Sequence, residues 1–179
     1  MTTQGITMSI HAVTLPRFAQ MLRSLAAILS KSEAYALERG YDAQVLLDAR
    51  LAPDMHNLAT QVQYTCTQAQ DAVQRLTQQP LTKLTPPENM AAAKALIEST
   101  LEMLAAANPA QIDASADKNI ALELQNGIAF DMTGREYAVD WAMPQFYFHL
   151  ITAYNILRHN GVPLGKADYM QHMFAYLRK

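Results

Sequence analysis

The stretch FYFHLITAYNILRHNGVPLGK, residues 146–166, sets His149 among aromatic and aliphatic residues inside a helical pattern, then ends that pattern with Asn-Gly and a proline. An imidazole on an apolar helix face is either a core residue held by a hydrogen bond or a piece of a ligand site. Tyr147, Tyr154 and Arg158 form a stripe at helical spacing beside His149 and partly overlapping its face. Such a stripe serves packing or an interface more often than a cofactor, and Tyr154 and Arg158 are kept as candidate pocket residues. His159 falls at the helix C-terminus, where the negative end of the dipole accounts for it. Arg50 and Asp54 lie four apart near a helix start, which a local ion pair or a charge-to-helix-end contact explains. Cys66, the single cysteine, sits on an apolar seam, where a thiol acts as a small hydrophobe with a raised pKa rather than as a nucleophile. No Gly-rich phosphate loop, serine elbow or HExxH motif occurs. No complete catalytic constellation is therefore visible.

The whole-chain composition narrows the setting of these residues. A chain of 179 residues suffices for one sizeable core and is short for two, so residues 1–179 are expected to form one domain. Charged residues make up 17% and apolar ones 50%, against roughly 25% charged in an average soluble domain. Part of the surface must then be neutral, apolar or covered by a partner, and a homodimer is the expected form. The net charge is −2 without a run of Lys or Arg, which argues against nucleic acid, whose phosphates require clustered positive charge. No 18-residue apolar segment and no basic-then-apolar leader are present, so the expectation is a soluble, cytoplasmic protein that does not enter a membrane. One cysteine excludes an intramolecular disulfide.

The elements that must position the candidates read as four long helices. Thr14 to Gly40 carries Phe18, Met21, Leu22, Leu25, Ile28 and Leu29 on one face, with a proline in its first turn and Gly40 as a left-handed cap. A short helical piece, DAQVLLDARL, follows. The second long helix is expected to open at Pro53 and Asp54, with Met55, Leu58, Val62, Cys66, Ala69, Val73 and Leu76 on its seam. QQPLTKLTPPEN is a connector, and MAAAKALIESTLEMLAAAN has high helix propensity throughout. NIALELQNGIAFDM, residues 119–132, alternates around Asn126-Gly127 as a β-hairpin does. The last segment begins with Thr133 and Glu136 in capping-box spacing and runs to Asn160-Gly161, with Pro144 expected to kink or break it. These elements predict an all-α, up-and-down four-helix bundle with a small hairpin between the third and fourth long helices, an architecture that builds ligand sites from side chains on facing helices.

LLDARLAPDM (46–55), QVQYTC (61–66) and above all QFYFHLITAYNILRHNGVPLGKADY (145–169) resemble the bacterial family called domain of unknown function nineteen ninety-three, within the DinB/YfiT-like bundle superfamily. The resemblance spans nearly the whole chain. It implies a divalent-metal site of three histidines, one on the second helix and two spaced four apart on the last. Carried onto this sequence, those positions fall near His56, on His149 and on Gln145, so one of the three is an amide. Positions 145 and 149 share a helix face. Two imidazoles and a neutral amide hold a zinc-like ion far less well than three imidazoles do. The expectation is a degenerate site with no tightly bound cofactor, holding at most a weak divalent ion such as zinc or nickel. Two functions follow from the resemblance: a dimeric small-molecule-binding or structural module, or a divalent-metal-dependent transferase or hydrolase acting on a small substrate, thiol-linked or not. The amide at Gln145 favours the first.

Overall fold

The structure, a computed structural model, describes residues 9–178. The residues before Ser9, on which the reading of a missing leader partly rests, lie outside them, as does Lys179. The described chain is mostly helical, with one two-stranded antiparallel sheet. A short helix α1 (Ile10–Val13) leads into α2 (Leu15–Glu38), followed by α3 (Gln44–Asp48), α4 (Leu58–Leu76), α5 (Met90–Ala106) and α6 (Pro109–Asp113). The hairpin β1 (Asn119–Glu123) and β2 (Ala129–Thr133) comes next. A turn α7 (Gly134–Glu136), a π-helical turn (Tyr137–Ala142) and α8 (Met143–His159) follow, and the chain ends in α9 (Lys166–Tyr169) and a 3-10 segment (Gln171–Tyr176).

The four long helices pack around a single core. α4 lies against α5 and α8, and α2 packs against both of those, so the apolar seams of all four meet. Phe18 of α2 and Phe146 of α8 are fully buried with ring centroids 4.3 Å apart. Burying each such ring contributes about 1.5–3 kcal/mol. The ends of α2 and α8 are built alike. Gly40 and Gly161 take positive φ, and the residue after each donates its N–H five residues back, Tyr41 to Ala36 and Val162 to Leu157. That bonding satisfies carbonyls a helix end would otherwise leave open, and glycine adopts the required conformation without a Cβ penalty.

Two features depart from the sequence expectation. α4 begins at Leu58, not at Pro53, because Asn57 takes the cap position and its side chain accepts the Thr60 N–H at 3.0 Å. His56 therefore precedes the helix. At Pro144 the segment continues as helix and the irregularity falls before the proline: a π-helical turn leads into α8, which has Pro144 in its first turn, with Met143 N–H bonded to Ala138 O. A wider turn of this kind absorbs the donor that proline lacks. The connector between α4 and α5 falls where the sequence puts it and is fastened to α4 by side chains. Gln63 donates to Leu84 O (2.8 Å), Gln70 to Thr82 O (2.7 Å), and Gln74 both donates to the Thr82 hydroxyl and accepts its N–H. These buried glutamines thus supply the partners an extended strand would find in a sheet.

The hairpin and the capping box stand where the sequence puts them. Gly127 N–H bonds to Leu124 O (2.9 Å) and Leu124 N–H to Ile128 O (2.8 Å), closing a three-residue loop around Asn126-Gly127. Thr133 and Glu136 bond reciprocally, and those bonds hold the exposed Glu136 carboxyl below its ordinary pKa. No helix among the described residues is long and apolar enough to cross a membrane.

Candidate functional site

α4 and α8 face each other along much of their length, and this contact brings His149 to the first turns of α4. Gln61, one turn into α4, is 2% exposed. Its amide nitrogen donates to the backbone carbonyl of His56 at 3.4 Å, and its amide oxygen faces His149 Nδ1 at 2.8 Å. A backbone carbonyl can only accept, so the amide orientation is set from that side. The oxygen turned toward the imidazole requires a donor, and Nδ1 carries the proton. The lone pair of His149 then lies on Nε2.

Tyr64 stands three residues after Gln61, on the same face of α4. Its ring lies 5.0 Å from His149 and 5.3 Å from His56, while Phe148 meets His149 edge-on at 5.3 Å. The site is thus a row of rings, His56, Tyr64, His149 and Phe148, with Gln61 beneath. His149 is half-buried and His56 is exposed. Burial, and then the neighbouring His56, push the His149 pKa from 6.5 down to about 4. Loss of hydration disfavours the charged ring and a second cation nearby disfavours it further. The imidazole is neutral at neutral pH.

Gln145 lies one turn before His149 on α8, half-buried, and with Pro144 and Phe148 lines a shallow hollow of about 350 Å³. Tyr154 and Arg158 are directed elsewhere. Tyr154 packs edge-on against Tyr169 at 6.0 Å, and Arg158 donates to Val162 O at 3.5 Å, so both serve the C-terminal segment rather than the His149 row. Cys66 is buried, its thiol pushed up to about 12 by burial, with a bond to Thr100 opposing that rise. It is chemically quiet. Sequence reasoning missed Gln61 and Tyr64, although both lie inside QVQYTC. Their signal was an amide at a position where the helical period calls for burial.

The donor set can be tested against a metal ion. His149 is oriented as a metal-ligating imidazole is, with its other nitrogen bonded to an amide oxygen. Among the described residues, however, no group of three or more His, Cys, Asp or Glu side chains is placed to hold an ion. Two imidazoles with the amide of Gln145 do not make the full set of strong ligands that a tightly held zinc requires.

Comparison with known proteins gives two results. The model of a domain of unknown function, DUF1993, matches residues 10–170. A crystal structure of a DinB family member protein from Shewanella denitrificans superposes with a TM-score of 0.81 at 39% sequence identity, covering 89% of this chain and 90% of that one. None of the curated proteins matches this chain.

Proposed function

Because this chain belongs to the DUF1993 family and is similar to a DinB family member over most of its length, we propose that it is an up-and-down four-helix bundle acting as a homodimeric small-molecule-binding module with a degenerate metal site. The observation that carries the reading is the 2.8 Å bond between Gln61 and His149, which leaves a neutral imidazole with its lone pair on Nε2 in a row of aromatic rings. Such a row, apolar with one placed polar atom and bordered by the hollow at Pro144, Gln145 and Phe148, suits a small organic molecule. Gln145 in the third ligand position keeps any divalent ion weakly held.

A second reading, a divalent-metal-dependent transferase or hydrolase, is favoured by one specific feature. The Nδ1-to-carbonyl bond of His149 matches the way ligating imidazoles are oriented. In that case a bound ion would lower the pKa of a thiol or water used as nucleophile.

Zinc binding by the parent and by Gln145→His tests the degenerate-site reading. Equilibrium dialysis is expected to give weak binding for the parent and at least about tenfold tighter binding for the variant, since an imidazole replaces an amide. Equal affinities would mean that positions 56, 145 and 149 do not converge on one ion.

A further inference from the structure

We infer that Gln61 is the residue that sets the specificity of this site, by fixing His149 in the tautomer that presents a bare lone pair and so admits an acidic hydrogen or a cation while turning anions away. The inference rests on the reading that the His149 row takes a ligand, and it adds the chemistry of what that ligand must offer.

The His56 carbonyl, the Gln61 amide and the His149 imidazole form a chain of three bonded groups. The His56 carbonyl has no proton to give, so the Gln61 NH₂ must face it; the Gln61 oxygen is thereby committed to the imidazole, 2.8 Å away. A neutral imidazole has one N–H, and the bond uses it at Nδ1. Nε2 is then an acceptor only. Were Gln61 an apolar residue, neither tautomer would be favoured by this contact, and the ring could offer an N–H outward. Gln61 is fully enclosed and pinned at its backbone, its N–H bonded to Asn57 O and its carbonyl accepting from Thr65, so its amide has little freedom to turn over.

The surroundings of the ring add to the selection. The groups in ring contact with His149 are Tyr64 and Phe148, and the further histidine, His56, lies beyond Tyr64. None of these offers the paired cationic donors that phosphate or carboxylate recognition uses. Phe148, 56% exposed beside the imidazole, offers an apolar surface to the body of a ligand. The ligand class is an uncharged or cationic group with an N–H or O–H donor on a planar or apolar frame. A divalent cation meets the same lone pair, and the two sources of that chemistry are separable by experiment.

Two-bond proton–nitrogen correlation spectra of the imidazoles at pH 7.5 read the tautomer directly. In the full-length protein His149 is expected to show the Nδ1–H form, and in Gln61→Leu, with circular dichroism unchanged, a mixture of tautomers. A His149 in the Nε2–H form in the parent overturns the proposal without recourse to any variant, as does an unchanged tautomer in a folded Gln61→Leu protein. Zinc chloride, pyrazole and inorganic phosphate are then added separately to the parent. Shifts of His149 with pyrazole or zinc and none with phosphate support the ligand class, the two active probes distinguishing an organic donor from a metal ion. Shifts with phosphate overturn it. If the tautomer is as stated and no probe moves His149, the binding reading of the preceding section fails while the role of Gln61 in fixing the ring stands.

Discussion

His149 and Gln61 are 88 positions apart in sequence and 2.8 Å apart at their polar atoms. The contact is enclosed on the Gln61 side, so its energetics are asymmetric. Removing one partner leaves a buried amide oxygen without a donor, which costs about 1–3 kcal/mol, whereas removing both is close to neutral. His149→Leu is therefore expected to lower stability in urea denaturation by about that amount, and the double variant with Gln61→Leu to recover most of it. Two additive losses would contradict the pairing. The same histidine gives the stability curve an acid slope. Its folded pKa of about 4 lies below 6.5, so between those values the unfolded chain holds the extra proton and stability falls as the pH drops. Stability from this group is full above pH 6.5, and the slope between 6.5 and 4 should be shallower in His149→Leu.

Among the elements, those with local signals are the ones sequence reasoning locates. Gly40, the Asn126-Gly127 turn, the Thr133–Glu136 box and Gly161 each act within a few residues of themselves, and the structure has them in those roles. The start of α4 was misplaced because Pro53-Asp54 and Asn57 are competing start signals four residues apart, and only packing chooses between them. The π-helical turn before Pro144 and the fastening of the connector by Gln63, Gln70 and Gln74 depend on distant partners, as does the pairing of Gln61 with His149. No spacing rule announces such contacts. The candidate site was accordingly legible as far as His149, His56 and the α8 face of Gln145, while Tyr154 and Arg158 lay on a stripe whose partner, the C-terminal segment, pattern alone does not show. One element end carries a cost that can be relieved. After α4 the chain turns back as after α2 and α8, with Gln79 N–H bonded to Gln74 O, but the left-handed position is held by Gln78 at φ 58°. That conformation costs a residue with a Cβ roughly 1–2 kcal/mol, part of which glycine's greater freedom in the unfolded chain cancels. Gln78→Gly should raise stability by about 0.5–1 kcal/mol, seen as a higher thermal midpoint. A lower midpoint would mean that the Gln78 side chain contributes more than its backbone costs.

At the scale of the molecule, the apolar surface sets the expectation of a partner. The C-terminal segment folds onto its own α2, with Lys31 and Asp168 paired at 2.8 Å, yet Tyr176 and Leu177 remain 74% and 68% exposed. Phe148 and Leu37 add further apolar exposure elsewhere. A homodimer is the expected outcome of light scattering on the eluting peak at micromolar concentration, with an interface of about 1,200 Å² or more. A mass near one chain would remove the dimer, and deletion of residues 167 to 179 would then be expected to uncover α2 and cause aggregation. The proposal that this chain is a binding module with a degenerate metal site is tested most directly by elemental analysis of tag-free protein purified without a nickel column. Zinc and nickel are expected well below one ion per chain after dialysis against a mild chelator. One ion per chain surviving that dialysis, and lost in His149→Leu, would contradict it and establish the metal-dependent reading instead.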